Sequence, residues 1–285
     1  MDQVIPAICN VLVLSSMYIL AALGFAFLFN MLGILNFSHG AVYMIGGYVG
    51  YVLIVTFGVY KWLALPLATI AIAFLGVFFE KYCFRRFVGD FNGIVMICVA
   101  ITVILQTTVN IMLGAKSLAL PPFAEGILAF GPVSISHERI VTFAIGAFLL
   151  VLVIWFVNWT RWGMQMQAIA QNTEGASLQG ININRVSALA SAVGCGLAAV
   201  AGCLMGAFKG LGPFMGDFML VKTLMLVILA GLGSLTGIFL AGLVIGGLNA
   251  VLPLFMSGGS SEATAVTIVV VLLLIRPRGF FGHEA

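Results

Sequence analysis

Three side chains that form directed hydrogen bonds lie within four residues of one another: the amide of Asn36, the hydroxyl of Ser38 and the imidazole of His39. A hydroxyl beside an imidazole is the pairing that nucleophilic catalysis uses when a third group orients the base. The other histidines, His137 and His283, are distant in the chain, and no Ser/His/Asp or H-E-x-x-H arrangement is present. The sequence therefore predicts no catalytic residue, no metal site and no enzyme activity.

The surroundings of these three residues suggest a different role. Residues 20–32 and 41–56 are almost entirely apolar, which is typical of membrane-embedded helices. Polar side chains in hydrocarbon need partners, and irregular backbone is tolerated there only where protein covers it or where it lines a cavity. We predict a helix break near 33–40, where Ser38 caps a half-helix that begins near His39 and whose positive end favours a carboxylate.

Composition supports a membrane location for the whole chain. Of its residues, 62% are hydrophobic and 7% are charged, against about 25% charged in soluble domains. The net charge of +3, without a basic patch that contains aromatics, indicates no nucleic-acid partner. Long continuous apolar runs exclude a transmembrane β-barrel. We predict an all-α polytopic membrane protein with one transmembrane domain over 1–285.

About eight or nine membrane-spanning helices fit the apolar runs, at roughly 20 residues each. The candidate spans are 8–30, 40–58, 62–80, 93–113, 139–159, 185–208, 218–233, 237–256 and 262–275. Eight spans result if a piece near 30–58 is re-entrant. Arginines cluster after the third, fifth and last spans, which predicts a cytoplasmic C-terminus; the N-terminus is outside with nine spans and inside with eight.

Two loops have recognisable patterns. Loop 114–138 carries turn residues followed by the alternating Val133–Ser136, which predicts a hairpin or an ordered loop; it is either a docking surface for an external partner or a connector. On the other side, 164–179 predicts a short, weakly amphipathic helix with Gly180 as its C-terminal cap. Its near lack of charge suits a groove on a partner protein, although a connecting loop on the bilayer is the alternative.

An energy source within the chain is not indicated. The G-x-x-x-x-G-K-[ST] phosphate loop is absent. We place His39 alone deep in the membrane, expect Lys222 to reach towards the outer surface, and place Glu80 near the inner boundary. One histidine is little support for a proton-coupled carrier. The sequence favours a permease driven by a partner, over an autonomous channel or secondary carrier.

Several segments together resemble the H-type permease subunits, of the H/M subunit family, of bacterial branched-chain amino acid ABC transporters. The resemblance covers nearly the whole chain. It lies in the Asn-Phe-Ser-His-Gly segment 36–40 with Gly46-Gly47-Tyr48, in the loop 161–182, in the turn 231–237 and in the end Arg-Pro-Arg-Gly-Phe-Phe-Gly at 276–282.

This resemblance implies a multi-pass protein of the bacterial inner membrane that pairs with a second, M-type permease subunit. It also implies two cytoplasmic ATPase subunits, which hold the ATP and Mg²⁺, and a periplasmic substrate-binding protein, while this chain binds no cofactor. The segment near 164–180 would be the coupling helix that the ATPases contact. The implied coupling residues are Met164, Ala168, Asn172, Glu174, Ala176 and Gly180.

The predicted substrate pathway combines the helix break with the glycine-rich turn 231–237. Its candidate residues are Asn36, Phe37, Ser38, His39, Gly40, Gly233, Ser234 and Thr236. Whether the break lines the pathway or the subunit interface is open, as is a purely structural role at a helix break. Related family members carry urea, short amides or aromatic acids, so the substrate is predicted only as a branched-chain or other small amino acid, with those solutes as alternatives.

Overall fold

The computed structural model describes residues 4–33, 35–130, 133–231, 234–277 and 279–281. The regular elements of this part of the chain are helices and one short hairpin. The helices are α1 (Val4–Leu32), α2 (His39–Tyr51), α3 (Lys61–Phe79), α4 (Phe91–Leu113), α5 (His137–Trp159), α6 (Arg161–Gln171), α7 (Thr173–Leu178), α8 (Ile183–Lys209), α9 (Met215–Ala230), α10 (Leu235–Val251) and α11 (Gly258–Ile275). The strands are β1 (Ile127–Phe130) and β2 (Val133–Ser136).

Within the described residues, eight helical segments are long and apolar enough to cross a membrane. This confirms the all-α polytopic prediction. Three of these segments extend past the α-helices given above, because α2 continues as a π-helix to Thr56, α3 as π-helical and 3-10 turns to Phe87, and α10 as a 3-10 helix to Leu254. The predicted span 218–233 corresponds to α9, which has 16 residues and is therefore about 24 Å long, shorter than the roughly 30 Å of hydrocarbon. The count is eight because α9 is too short to span the hydrocarbon. The predicted reason for a count of eight was a re-entrant piece near 30–58.

Helices α1 and α8 form the centre of the bundle. In α1, 89% of the residues in the apolar window are buried, against 17% in α11. Helix α1 carries apolar side chains on all of its faces, as expected for a helix that other helices enclose. It packs against α5, α8, α9 and α10. Helix α8 contacts α1, α2 and α3, so α1 and α8 together hold α2, which begins near residue 36, in the interior of the bundle.

Small residues allow these helices to approach closely. A Cβ atom on Gly24 would overlap the carbonyl oxygen of Gly194, and one on Gly202 would overlap the carbonyl oxygen of Tyr43. Small-xxx-small pairs occur in the sequence at Gly46/Gly50, Gly202/Gly206 and Gly242/Gly246, and their spacing predicts close helix contacts either within the chain or between subunits. A Cβ atom on each of these glycines would come within 3 Å of another residue of this chain; Gly46, for example, faces Ala199. The contacts therefore lie within the chain.

The predicted hairpin is confirmed. Strands β1 and β2 pair antiparallel, with Ile127 opposite Ser136. Nearby, the Lys61 ammonium donates to the carbonyl oxygen of Pro122 at 2.9 Å, so the start of α3 lies at the same end of the bundle. We call this the hairpin end. The opposite end, which carries α6 and α7, is the α6–α7 end.

An ion pair with a buried carboxylate holds the helical turns that follow α3 (residues 80–87) against α8 at the α6–α7 end. The Glu80 side chain is 1% exposed and accepts from Nε of Arg85 at 2.9 Å and from its Nη2 atom. The same Nη2 donates to the carbonyl oxygen of Asn184 at 3.1 Å. The sequence placed Glu80 near a membrane boundary but did not predict this partner.

Replacing Arg85 by Met is expected to destabilise the chain by about 3 kcal/mol, because a buried carboxylate loses its cation. The double variant Glu80→Gln with Arg85→Met should recover part of that loss, since it removes the orphaned charge. Thermal melting of the detergent-purified protein measures both effects. A single variant that melts at the wild-type temperature would contradict the structural role of this pair.

Candidate functional site

The helix break lies in the interior of the protein. The chain leaves α1 after Leu32 and enters α2 at His39, so the predicted break near 33–40 is confirmed. Asn36, Ser38 and His39 are each 2% exposed or less, while Phe37 is partly buried. Protein therefore covers the irregular backbone, which is one of the two ways that such backbone is tolerated in a membrane.

The Asn36 side chain organises this break. Its Oδ1 atom accepts from the backbone N–H of Ser38 at 3.0 Å, from the Ser38 hydroxyl at 2.6 Å and from the Cys98 thiol of α4 at 3.5 Å. Ser38 occupies the N-cap position of α2, but its side chain makes no capping hydrogen bond. The prediction that the Ser38 hydroxyl caps α2 is wrong, because that hydroxyl donates to Asn36 instead.

His39 contacts the middle of α1. Its Nε2 lies 2.9 Å from the carbonyl oxygen of Ala21, and its ring packs edge-on against Phe25 with centroids 5.6 Å apart. Since a carbonyl only accepts, Nε2 carries the proton. Within the described residues Nδ1 has no hydrogen-bond partner. His39 thus fixes the start of α2 against α1.

Gly40 allows α2 to touch the start of α9. A Cβ atom on Gly40 would overlap the carbonyl oxygen of Gly216, and a Cβ atom on Gly216 would overlap that of Gly40. The two backbones are therefore in direct contact, and neither position has room for a side chain.

The turn at 231–237 lies elsewhere. Gly231 ends α9 with φ of 92°, and the N–H groups of Phe280 and Phe281 donate to the carbonyl oxygens of Leu229 and Ala230. Ser234 caps α10 by accepting from Gly237 N–H at 3.1 Å. Thr236 is exposed, and Gly233 lies outside the described residues.

The structure does not bring the break and this turn together. Gly40 touches the first turn of α9, whereas Gly231 follows its last residue. The first and last residues of α9 are about 22 Å apart along the helix. The predicted pairing of the break with the turn is therefore wrong, because α9 separates them. Whether either segment lines the substrate pathway stays a prediction.

Two cavities near the hairpin end are lined by residues that sequence reasoning did not combine. The first, the polar cavity, has a volume of about 240 Å³ and lies beside Tyr18, Tyr43, Lys209, Lys222 and Glu262. The second, the apolar cavity, also has a volume of about 240 Å³ and lies among α9, α10 and α11. Lys222, Glu262 and Phe218 line both. The sequence signal that could have found these cavities is the single charged residues Lys222 and Glu262 in apolar runs.

An ion pair stands where the two cavities meet. The Lys222 ammonium lies 3.0 Å from Oε1 of Glu262 and 3.4 Å from the Tyr18 hydroxyl. It also sits 5.5 Å from the centre of the Tyr18 ring, within the range of a cation–π contact. Lys222 is therefore held inside the bundle, and the expectation that it only reaches towards the outer surface misses these partners.

The predicted helix over 164–179 is divided in two. Asn172 has extended backbone and caps α7 by accepting from Gly175 N–H at 2.8 Å, which separates α6 from α7. An asparagine favours such a cap over a helix interior. Gly180, at φ of 79°, follows α7 as predicted for a C-terminal cap.

One face of this segment is buried. Met166, Ile169 and Ala176 are buried, whereas Met164 is 53% exposed and Leu178 is 86% exposed. Of the other predicted coupling residues, Ala168 is partly buried, and Asn172, Glu174 and Gly180 are exposed. Met164 and Leu178 therefore expose apolar side chains on α6 and α7, which lie outside the membrane spans.

Comparison with known proteins decides the family. The chain matches the family of branched-chain amino acid transport system permease components over residues 7–276. The chain belongs to this family. The high-affinity branched-chain amino acid transport system permease protein LivH of Salmonella typhimurium is 29% identical over 289 residues, which is 96% of this chain and 94% of the relative.

Other members agree. The corresponding permease BraD of Pseudomonas aeruginosa is 29% identical over 290 residues, again covering 96% of this chain and 94% of the relative. The fructose import permease FrcC of Rhizobium meliloti is 27% identical over 134 residues, which is 44% of this chain and 37% of the relative. The family match, LivH and BraD confirm the resemblance that the sequence motifs suggested.

No metal centre is built by the described part of this permease. Within it, no three His, Cys, Asp or Glu side chains converge so that they could hold an ion. The expectation that the chain binds no metal or cofactor stays a prediction.

Replacing Asn36 by Ala is expected to destabilise this permease by about 1–3 kcal/mol, because the buried N–H of Ser38 loses its acceptor. Asn158→Ala is the matched control, since that side chain is exposed and donates only to Ile154 of its own helix. Thermal melting in detergent compares the two. Equal melting temperatures for both variants would show that Asn36 does not organise the break.

Proposed function

We propose that this chain is a transmembrane permease subunit of an ATP-driven importer in the bacterial inner membrane. In this account it forms the translocation pathway with a second, M-type permease subunit, and the cargo is a branched-chain or other small hydrophobic or neutral amino acid. The observation that carries the proposal is the full-length match to LivH and BraD, both described as permeases of branched-chain amino acid systems.

Helices α6 and α7 transmit the nucleotide-driven movement of the ATPases to the membrane spans. Thr160, Asn172 and Asn182 each cap the helix that follows them, so the segment is fixed at three points. Its exposed Met164 and Leu178 fit a groove on a protein partner. We assign that partner as the cytoplasmic ATPase pair, which holds ATP and Mg²⁺. Nucleotide-driven movement of α6 and α7 then rocks the spans.

The orientation follows from this assignment. The α6–α7 end carries Arg85, Arg161, Arg185 and Arg276, which agrees with the bias of arginine towards the cytoplasm. The C-terminus is then cytoplasmic, and the hairpin end faces the periplasm. There the exposed Ile127 of the hairpin is available to a periplasmic substrate-binding protein.

Isolation of the chain from its native membrane tests this proposal. A tagged chain should retain a second apolar permease and an ATPase through purification. The alternative functions are transport of urea, short amides or aromatic acids, and, as a different class, an autonomous channel or secondary carrier. A chain that purifies alone and carries solute in liposomes without ATP would support the autonomous class and contradict the proposal.

A further inference from the structure

The ion pair between Lys222 and Glu262 lies at the boundary between the polar cavity and the apolar cavity. Lys222 joins α9 to Glu262 of α11 and to Tyr18 of α1. On one side lies the polar cavity, with Tyr43 and Lys209. On the other lies the apolar cavity, with Val221, Ile245, Leu248 and Val269. A small molecule with two opposite charges and an apolar tail matches this arrangement.

We propose that this place is the substrate site of the permease, and that it binds the zwitterionic head group of an apolar amino acid. The substrate carboxylate pairs with the Lys222 ammonium, and the substrate ammonium pairs with the Glu262 carboxylate. The substrate side chain enters the apolar cavity. The site rests on the proposed function, since it names the residues that would receive the transported molecule.

The exchange of partners leaves every charge paired. In the free protein Lys222 and Glu262 neutralise each other at 3.0 Å. A zwitterion inserted between them replaces one ion pair by two, so no charge is left buried alone. The Glu262 side chain is 48% exposed and Lys222 17% exposed. A pair with one exposed member is held weakly, so it can open.

The surrounding polar groups select for such a head group. The Tyr18 hydroxyl and ring hold the Lys222 ammonium in place. Lys209 lines the polar cavity at the end of α8 and makes no hydrogen bond or ion pair within the described residues, so it attracts a carboxylate towards the site. The other polar residues of the apolar cavity are already engaged: Asp217 accepts from Gln106, and Asn249 donates to Ile245.

The size of the space sets an upper limit on the substrate. Each cavity measures about 240 Å³, below the roughly 300–1,000 Å³ of sites for drug-sized ligands. One amino acid with an aliphatic side chain fits this limit. The site is also distinct from the helix break, because neither cavity is lined by residues 36–40.

Uptake of labelled L-leucine by the assembled transporter in proteoliposomes tests the site. Lys222→Met and Glu262→Gln should each lower ATP-dependent uptake about tenfold or more, the effect of losing a hydrogen bond to a charged group. The amount of ATPase that co-purifies with each variant should match wild type, which reports that the complex assembles. Lys81→Met, an exposed lysine at the α6–α7 end, is the control and should transport normally.

The double variant Lys222→Glu with Glu262→Lys separates binding from a structural role. It retains an ion pair but reverses the charges relative to the apolar cavity, so uptake should stay at a tenth or less of wild type. Restored uptake would show that the pair only joins α9 to α11 and would overturn the site. Wild-type uptake by Lys222→Met would overturn it as well.

A second test does not remove a charge. Val266 is partly exposed and lines the apolar cavity, so Val266→Trp narrows the cavity with little risk to folding. Leucine uptake should fall several-fold more than alanine uptake, and equal effects on both would overturn the site. If the unaltered transporter accumulates neither leucine nor any other small neutral amino acid with ATP, the proposed function is wrong and this site with it.

Discussion

Replacing Gly40 by Ala is expected to prevent the permease from folding stably, with a loss of about 3 kcal/mol or more. The added Cβ atom would overlap the carbonyl oxygen of Gly216, and both partners are backbone, which cannot rotate away as a side chain can. Overpacking of this kind commonly costs about 1–3 kcal/mol, occasionally more. Here it forces α2 away from α9 at the residue that follows His39.

The matched control is Gly258→Ala, where a Cβ atom meets nothing within 4 Å. Size-exclusion profiles and thermal melting in detergent should show a destabilised or aggregated Gly40→Ala protein and a normal Gly258→Ala protein. Identical melting of the two variants would mean that α2 and α9 do not touch as the structure has them.

Replacing Leu178 by Asp is expected to abolish transport while the chain itself stays folded. Leu178 is 86% exposed at the end of α7, so the substitution removes no internal packing. It does place a charge on the apolar surface that we assign to the ATPases, where an unpaired buried charge is costly. Uptake should fall at least about tenfold, and less ATPase should co-purify with the chain.

Gln179→Asp provides the comparison. It adds the same charge at the next exposed position but removes no apolar side chain, so its effect on co-purification should be much smaller. A Leu178→Asp chain that keeps its ATPase and transports normally would remove α7 from the coupling surface.

The membrane spans could be predicted from sequence because the thickness of hydrocarbon sets a minimum length for an apolar run. The same rule was met only loosely by the run that became α9. The predicted run 218–233 has 16 residues, as α9 has, so it was already shorter than the roughly 20 residues that a span needs. Gly231, at φ of 92°, is a local signal for the end of a helix. By contrast, Phe280 and Phe281, whose N–H groups donate to Leu229 and Ala230, are distant in sequence and could not be predicted.

The helix break was predictable because polar side chains inside a membrane are costly unless they have partners. Asn36, Ser38 and His39 interrupt an apolar run, so they must have partners. The identity of those partners was not predictable, because Cys98 and Ala21 come from α4 and α1. The Ser38 hydroxyl could satisfy either the helix N-terminus or Asn36, and only the packing decides between them.

The cavities were missed because their residues are dispersed. Tyr18, Lys222 and Glu262 belong to α1, α9 and α11, and each charge by itself looks like a residue near a membrane surface. Only the tertiary contact shows that the largely buried Lys222 of α9 pairs with Glu262 of α11. A lysine and a glutamate in separate apolar runs are therefore better treated as possible partners than as two isolated surface charges.

This chain is expected to import an amino acid only as part of an ATP-driven complex. The direct measurement is uptake of labelled L-leucine into proteoliposomes that contain this chain, its second permease and the ATPases, with ATP on the ATPase side and the substrate-binding protein on the other. We expect accumulation that requires ATP, both permeases and the binding protein. Equal uptake by this chain alone, without ATP or partners, would contradict the account.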